Sequence, residues 1–187
     1  DIVEEAEIPA TFFVTHETAV LQRIRENKFL ELGLHPNFNS LIDNHPEAIS
    51  AKQTLLRLKE IVPEAKVIRS HSMTHSGRWL DLYMELGIEY SSQYFMGGVS
   101  TIQPMKHLNG IVEVPVYFAD DGAVFLADRN NSIRTLLNNF DEESDFVRVF
   151  NFHPIHVALN THSFNLYNKT REIHNNWTLL QKEVFAG

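Results

Sequence analysis

The sequence lacks several features that would place it in familiar classes of protein. None of its 187 residues is a cysteine, so disulfide bonds and thiolate metal ligands are excluded, although the compartment is left undecided. The 16 Lys and Arg residues against 24 Asp and Glu give a net charge of −8, and no basic cluster marks a nucleic-acid-binding surface. No apolar run is long enough to cross a bilayer, and no Gly-x-Gly-x-x-Gly or P-loop pattern favours binding of nucleotide phosphates. Internal repeats and low-complexity linkers are also missing.

The composition is that of an ordinary globular protein large enough to bury a core. Hydrophobic residues make up 43% and charged residues 21% of the chain, which predicts one domain over residues 1–187. The first residue is Asp1 rather than Met, and residues 1–7 have a helix-like pattern, which indicates missing upstream material. We expect a cytoplasmic protein, but the missing signal peptide is a weak argument for a chain that begins in this way. The sequence gives no indication of oligomeric state.

Residues 29–39 are the segment from which the function of the chain is inferred. They read Phe-Leu-Glu-Leu-Gly-Leu-His-Pro-Asn-Phe-Asn, in which three alternating leucines share one parity of a predicted strand. His35 is the last residue before Pro36, which ends the strand pairing. A polar side chain at the end of an apolar strand is where α/β folds place ligands and chemistry, so the search for function begins at His35.

Further apolar segments predict strands, and amphipathic segments between them predict helices. The predicted strands are residues 10–15, 29–35, 66–71, 88–95, 111–118 and 147–153. The predicted helices are residues 1–7, a short helix capped by Thr18, residues 46–62 and residues 79–86. A further helix is capped by Ser132, and its apolar residues at helical spacing are Ile133, Leu136, Leu137 and Phe140. Residues 165–185 form the last predicted helix, with Trp177 and Leu180 as packing residues. The acidic segment Asp141–Asp145 is predicted to be a solvated loop. This alternation predicts a parallel α/β fold, either an open doubly wound sheet or a barrel with a missing element.

Several predicted strands end on a side chain capable of chemistry. These residues are His16, His35, His71 and His153, with Glu113 and Tyr117 on a fifth strand. In a barrel such strand ends converge on one face. The chain has 10 histidines, which leaves room for coincidence, so each candidate also has a purely structural alternative.

The alternatives differ from residue to residue. His35 is either a strand-end residue bonded to a loop or a metal ligand, because neutral imidazole is the commonest such group. Arg69 shares a face with Val67 in mid-strand, which predicts a pair with a buried carboxylate whose pKa it lowers, rather than a surface ion pair. His71 points the same way as Arg69 and is either a ligand or a substrate contact. Glu113 is either a satisfied interior carboxylate or a group that hydrogen-bonds the substrate.

The last predicted strand suggests an acid. His153 follows Phe150 and Phe152, which suit a partly apolar slot where an imidazole acts as a general acid. His156 is either its neighbour in the site or a loop residue. The remaining histidines are in polar surroundings and are predicted to lie on the solvated surface: His45, His107, His162 and His174.

Taken together, these segments resemble the NodB-like polysaccharide deacetylases, the carbohydrate esterase family 4 homology domain, from Ile8 to Thr161. The similar motifs, in the expected order, are Ile8-Pro-Ala-Thr-Phe-Phe-Val14, Glu31-Leu-Gly-Leu-His35, Val67-Ile-Arg69-Ser-His71 with Gly87-Ile-Glu-Tyr-Ser-Ser92 after it, and Phe150-Asn-Phe-His153-Pro. The forms Leu-His-Pro-Asn-Phe-Asn, Arg-Ser-His-Ser and Phe-His-Pro resemble a branch associated with bacterial surface-polysaccharide and O-antigen biosynthesis.

The resemblance implies a distorted (β/α) barrel and metal-dependent hydrolysis of an N-acetyl group on a sugar. A divalent metal, most often zinc, would polarise the amide carbonyl and activate a water. An aspartate base would take a proton from that water, and a histidine acid would protonate the departing amine. On this chain the resemblance implies that His35 is a metal ligand, Arg69 orients the aspartate base and His153 is the acid.

Two features depart from the family pattern. The Asp-Asp pair of the first family strand, which supplies the base and one ligand, should lie just before Asp1, and nothing in the chain replaces it. The second histidine of the metal motif, four residues after His35, is Asn39 here, and an amide oxygen is a harder and weaker donor to zinc than imidazole. Three alternatives stay open: Asn39 ligates the metal, His71 substitutes for it, or the site is open and weak.

Three functions are consistent with these residues. The first is a metal-dependent carbohydrate N-deacetylase, with Glu113, Tyr117 and His156 as candidate substrate contacts. The second is a related C–N hydrolase acting on a small amide. The third is a catalytically silent carbohydrate-binding barrel, which Asn39 and the missing Asp-Asp strand favour. Fold resemblance alone does not separate them.

Overall fold

The computed structural model describes residues 2–99, 101–122 and 146–186. Two sequence predictions lie outside these residues: the helix capped by Ser132, with Ile133, Leu136, Leu137 and Phe140, and the acidic loop Asp141–Asp145. The chain divides into two compact units, unit 1 (Asp1–Tyr94 and Pro104–Val114) and unit 2 (Phe95–Gln103 and Pro115–Gly187). The single catalytic domain over residues 1–187 stays a prediction.

Unit 1 is built on a six-stranded, mostly parallel sheet. Its strands are β1 (Ala10–Val14), β2 (Leu30–Leu34), β3 (Val67–Ile68), β4 (Tyr90–Ser91), β5 (Met105–Lys106) and β6 (Val112–Glu113). Its helices are α1 (Ile2–Glu5), α2 (Val20–Arg25), α3 (Asn39–Ile42), α4 (Ala51–Ile61) and α5 (Leu80–Glu85), with 3₁₀ turns at His71–Met73 and Gly77–Trp79. The strand order is β1-β2-β3-β4-β6-β5, and the β5–β6 pair is antiparallel. The predicted mixed α/β fold is confirmed. The described strands do not show a closed barrel, and that detail stays a prediction.

The strand predicted at residues 29–35 is confirmed as β2. It pairs in parallel with β1 over its whole length and with β3 at Leu34 and Ile68. Both of these side chains are 0% exposed. They belong to one core cluster with Leu55 of α4 and Tyr83 of α5. Burial of this cluster fixes the ends of β2 and β3, where candidate site residues follow.

Helix α4 begins later than the sequence predicted. The predicted start at Pro46 is wrong, because Ser50 forms a capping box: its hydroxyl accepts from the Gln53 N–H while the Gln53 side chain accepts from the Ser50 N–H. Residue 18 is not the cap of α2 either, since Ala19 takes that position without a side-chain hydrogen bond. The predicted end of α4 before Pro63 is confirmed.

Three predicted strands are too long, and one of them, residues 147–153, contracts to Val149–Asn151. The strand at residues 66–71 stops at Ile68, and His71 opens a 3₁₀ turn in which Ser72 and Met73 have φ of 54° and 50°. The prediction that His71 continues the strand face of Arg69 is therefore wrong. The strand at 88–95 contracts to Tyr90–Ser91.

The predicted strand at residues 111–118 is two strands. Val112–Glu113 belongs to the sheet of unit 1, whereas Val116–Ala119 belongs to unit 2. Pro115 lies between them and has no N–H to donate to a continuing ladder, which explains the break.

Unit 2 contains a two-stranded parallel sheet followed by short helices. The strands are β7 (Val116–Ala119) and β8 (Val149–Asn151). The helices are α6 (Pro154–Leu159), α7 (Phe164–Thr170) and α8 (Trp177–Leu180), with 3₁₀ turns at Arg171–Ile173 and Gln181–Glu183. The helical C-terminal region is confirmed, although it is divided into short pieces. Leu180 is buried as predicted, but Trp177 is 56% exposed, so its predicted packing role is wrong.

Within the described ranges, no helix combines the length and the apolar character needed to span a membrane.

Candidate active site

His35 and His71 meet where β2 and β3 end. The His35 N–H donates to Val14 O at 2.9 Å, and the His71 N–H donates to Pro36 O at 2.8 Å. These backbone bonds carry the parallel pairing one step past the strands and bring the two imidazoles together, with ring centroids 5.9 Å apart and planes at 90°. With Zn–N bonds of 2.0–2.1 Å, two imidazoles on one ion have centroids roughly 5–6 Å apart. The two rings therefore fit a shared divalent metal by their donor type and their separation.

Asn39 is the first residue of α3 and is half-buried. Its N–H donates to the Asn37 side chain at 2.9 Å, which forms the turn between the His35 strand and this helix. The turn keeps Asn39 on the segment that begins at His35. Its role as a third ligand stays a prediction, as does the alternative that His71 takes the place of the family histidine.

Arg69 is buried and is bound to the neighbouring strand. Since Ile68 pairs with Ser91, the next residues lie side by side, and Arg69 donates from Nε to Ser92 O at 3.2 Å and from Nη2 to Ser92 Oγ at 2.7 Å. Its guanidinium also lies 4.5 Å from the centre of the Phe13 ring. Burial lowers the pKa of Arg69 to about 10, against the opposing effect of the Glu113 carboxylate. The role of Arg69 in orienting an aspartate base stays a prediction.

Glu113 is a fully buried carboxylate, 0% exposed, on β6. It accepts a short hydrogen bond from Ser91 Oγ, and its Oε1 accepts the N–H groups of Gln93 at 2.6 Å and Tyr94 at 3.2 Å. These bonds satisfy a charge that would be costly to bury alone. They give Glu113 the structural role that the sequence left as one alternative, while its contact with substrate stays a prediction.

Tyr117 is also buried, at 1% exposure on β7. Its ring packs against Phe150 with centroids 5.9 Å apart, and the Arg148 guanidinium lies 5.7 Å from its ring centre. The predicted substrate contact of Tyr117 stays a prediction.

His153 forms a tight pair with Asp120 in unit 2. Strands β7 and β8 run parallel, with Ala119 opposite Asn151, so the residues that follow them meet at one edge of this sheet. The His153 backbone N–H donates to Asp120 Oδ2 at 2.7 Å, and His153 Nδ1 lies 2.6 Å from Asp120 Oδ1. Since a carboxylate only accepts, the proton of this bond belongs to Nδ1, and Nε2 is the second ring nitrogen. Asp121 Oδ2 lies 4.0 Å from that Nε2.

His156 lies next to His153. Pro154 starts α6, and the His156 N–H donates to His153 O at 2.9 Å, which stacks the two rings edge to face at 5.4 Å. His156 Nδ1 lies 3.3 Å from Thr161 Oγ1. Burial lowers the pKa of His156 below its ordinary value, an effect that outweighs the nearby Asp120 carboxylate. His156 is therefore a neighbour of His153, as one of the two sequence alternatives proposed.

Sequence reasoning missed Asp120. The available signal was the Asp-Asp dipeptide directly after the buried run Val116–Ala119, at the carboxyl end of a strand, where α/β folds place polar site residues. In the part of the chain that the structure describes, Asp120, His153 and His156 are the one group of three histidine or acidic side chains whose ligand atoms all lie within 4.8 Å of one another.

Five other histidines divide into exposed and half-buried groups. His45 and His162 are exposed as predicted, and His16 is also exposed, with Nδ1 2.6 Å from Thr15 Oγ1. The surface prediction is wrong for His107 and His174, which are half-buried. His107 is held in the β5–β6 hairpin by a bond from its N–H to Ile111 O at 2.8 Å, and His174 packs on the Tyr167 ring with centroids 5.3 Å apart.

Comparison with known proteins gives two matches. Residues 1–171 match the WbmS-like polysaccharide deacetylase family. A crystal structure of a protein from Bordetella bronchiseptica, WbmS, proposed to be a polysaccharide deacetylase involved in O-antigen biosynthesis, is similar with a TM-score of 0.87 and 33% sequence identity. The similarity covers 100% of this chain and 76% of that one. No curated protein matches the chain.

Proposed function

The chain belongs to the WbmS-like polysaccharide deacetylase family, and on this basis we propose that it hydrolyses an N-acetyl group on a sugar of a bacterial surface polysaccharide, in O-antigen biosynthesis. The observation that carries the proposal is the Asp120–His153 pair at the ends of two parallel strands. The family match favours this function over the two alternatives drawn from the sequence. The distorted barrel and the cytoplasmic location remain parts of the proposal.

His153 is the proton donor of the reaction. Asp120 accepts from both the backbone N–H and Nδ1 of His153, so the ring is held in one orientation with Nε2 as its reactive position. The His153 side chain is 39% exposed, whereas that of Asp120 is 14% exposed, so the acid is accessible while its partner is shielded. Protonated His153 donates from Nε2 to the amine that leaves when the amide bond breaks. His156, stacked on His153, is the candidate contact to the sugar beside the scissile amide.

A divalent metal, zinc in our proposal, would be held by His35 and His71, with Asn39 as a third ligand. When bound, it would polarise the amide carbonyl and activate a water. The approach of the His35 and His71 rings to 5.9 Å supports this assignment. Arg69 acts as a positioning residue for the carboxylate base, and its bonds to Ser92 hold its guanidinium in place.

Acetate release tests the function. The full-length protein, incubated with N-acetylated oligosaccharides from a bacterial surface polysaccharide, is expected to release acetate and an equal amount of free amine. Dialysis against a chelator is expected to stop the reaction, and zinc to restore it. Sugar binding without acetate release, with or without metal, would favour the silent binding domain. Hydrolysis of small cyclic or linear amides without action on sugars would favour the C–N hydrolase.

A further inference from the structure

The turn that carries His71 has a backbone that needs support. His71 begins a 3₁₀ turn in which Ser72 and Met73, neither of them glycine, have φ of 54° and 50°. Residues with a side chain adopt this left-handed conformation at a cost, and it persists only where surrounding contacts hold it. The bond from the His71 N–H to Pro36 O holds the start of the turn. The position of the His71 imidazole therefore also depends on the contacts that hold the rest of it.

Ser70 closes this turn with a buried hydroxyl. The residue is 1% exposed, and its Oγ makes a short hydrogen bond to Thr74 O, at the end of the turn. The same Oγ lies 2.8 Å from Gln93 Oε1, so its one proton serves two acceptors. The Ser70 side chain thus joins the two ends of the segment that contains His71 and connects both of them to Gln93, which follows β4.

Gln93 connects the turn to the buried carboxylate of Glu113. It is 2% exposed, and its Oε1 also accepts the Ser70 N–H at 3.1 Å. Its own backbone N–H donates to Glu113 Oε1 at 2.6 Å. Because β3 pairs with β4 at Ile68 and Ser91, and β4 pairs with β6 at Ser91 and Glu113, these residues meet at the carboxyl ends of their strands. A continuous chain of hydrogen bonds therefore runs from β6 to the turn of His71.

Stability alone does not explain the glutamine in this chain of bonds. Gln93 Nε2 is buried and has no hydrogen-bond partner among the described residues, and such a donor destabilises the folded state. Apolar side chains of the same shape in place of Ser70 and Gln93 would avoid that cost. Directional hydrogen bonds, unlike apolar contacts, specify a single geometry. The polar pair is therefore suited to holding the turn in one conformation.

We propose that Ser70 and Gln93 are positioning residues for the metal ligand His71, which they serve by holding the turn at residues 70–74 against β4. The inference rests on the proposed function, because the metal of His35 and His71 is part of it. Without these hydrogen bonds the turn relaxes toward negative φ and moves the His71 ring away from its place beside His35. A smaller fraction of the protein then has the geometry that the ion requires, and the apparent affinity falls by that fraction.

Zinc titration of two matched serine variants tests the proposal. Zn²⁺ is added to the metal-free full-length protein, and the Kd is measured by calorimetry. We expect Ser70→Ala to weaken zinc binding by roughly 10-fold to 100-fold, the loss usual when a residue that supports a metal ligand is removed. Ser91→Ala is the control, because Ser91 is 0% exposed and its hydroxyl donates to Glu113 rather than to the turn. It is expected to lower Tm, as Ser70→Ala does, but to keep the zinc affinity of the wild type.

Gln93→Met provides a second variant that keeps the length of the side chain and removes its acceptor oxygen. We expect it to weaken zinc binding no more than Ser70→Ala does, and the double variant to match Ser70→Ala, because both changes break the same bond. Co²⁺ bound in place of zinc reports the geometry of the ligands. Its visible absorption is expected to change in Ser70→Ala and Gln93→Met and to stay that of the wild type in Ser91→Ala.

The outcomes separate this proposal from the proposed function. Wild-type zinc affinity in Ser70→Ala and Gln93→Met would overturn the positioning role, and so would equal weakening in Ser70→Ala and Ser91→Ala, which would show a general loss of stability. A wild type that binds no zinc would overturn the positioning role together with the metal site. A wild type that binds zinc but releases no acetate would contradict the proposed function alone, and the zinc affinities of the variants would still decide the role of Ser70 and Gln93.

Discussion

Polar side chains differ in burial between the two units. In unit 1, Arg69 and Glu113 are buried within the sheet, and their polar atoms bond to the backbone and hydroxyl groups of residues 91–94. In unit 2, Asp120 and His153 lie just past the strand ends, and the His153 side chain is 39% exposed. A charge without solvent needs several fixed partners to be tolerated, whereas a group that exchanges protons needs an open side. This contrast supports the proposal that the buried charges of unit 1 hold the structure and that the pair in unit 2 takes part in the reaction.

The largest expected effect comes from a substitution in unit 2 that removes the charge of Asp120 but keeps the size of its side chain. Asp120→Asn keeps the side-chain size but places an amide where the carboxylate accepts from His153 Nδ1. We expect kcat for acetate release to fall about 10²-fold or more, with KM little changed, because the acid loses its tautomer and orientation rather than its contact with substrate. The control is Asp81→Asn, which alters an exposed carboxylate of α5. A rise in KM with kcat intact would show that Asp120 binds substrate instead.

Removing the charge of Glu113 tests whether buried charges stabilise the structure of unit 1. Glu113→Gln leaves one acceptor oxygen but replaces charge-assisted bonds with neutral ones, which we expect to cost about 2 kcal/mol of unfolding free energy in urea. Glu31→Gln changes an exposed carboxylate on β2 and is expected to stay within about 0.5 kcal/mol of the wild type. If the two variants were equally stable, the buried carboxylate would not hold the structure of unit 1.

A smaller effect is expected from disturbing the close packing around β2, the strand that immediately precedes His35. A Cβ at Gly33 would lie 2.9 Å from the Phe13 ring and from Val67 Cγ1, so Gly33→Ala is expected to cost about 1–2 kcal/mol and to weaken zinc binding at His35. Gly77→Ala is the matched control, because nothing lies within 4 Å of its added Cβ. Thermal unfolding and zinc titration of both variants measure the two effects. Equal behaviour of the two alanine variants would contradict tight packing at β2.

The smallest expected effect is a pH dependence in unit 1. Burial lowers the pKa of His75 from its ordinary value of 6.5, against the opposing effect of Glu113. The folded state therefore binds fewer protons than the unfolded state just below that value, so the contribution of His75 is complete above about pH 6.5 and is lost as the pH falls toward the folded pKa. We expect His75→Gln to reduce the drop in Tm between about pH 7.5 and about pH 5.5, by about 2 °C. The exposed His45→Gln is the control, and an identical acid response of both variants would refute this role of His75.

The sequence located strands β2 and β8 but overestimated the length of several other strands. Alternating leucines and the following proline identify β2 and His35, and the aromatic run before His153 identifies β8. Residues 71–73 form a turn instead of the predicted strand, and Ser72 and Met73 adopt positive φ there, for which their side chains give no sequence signal.

Contacts over long sequence separations explain what was missed at the candidate site. Asp120 and His153 are 33 residues apart, and only the parallel pairing of β7 with β8 brings them together. The division of residues 111–118 could have been predicted, because Pro115 cannot donate to a central ladder. The bonds of Arg69 to Ser92 depend on the register between β3 and β4, which no local pattern specifies.

The most direct test of the central claim is the rate of acetate release by His153→Ala from an N-acetylated surface polysaccharide at one equivalent of zinc. If Asp120 holds His153 as the proton donor of a deacetylase, kcat falls by about 10²–10⁴-fold. The zinc affinity of the His35 site and KM are expected to stay close to those of the wild type. An unchanged kcat in a folded variant would contradict the account, because the best-supported side-chain pair of unit 2 would then have no part in the reaction.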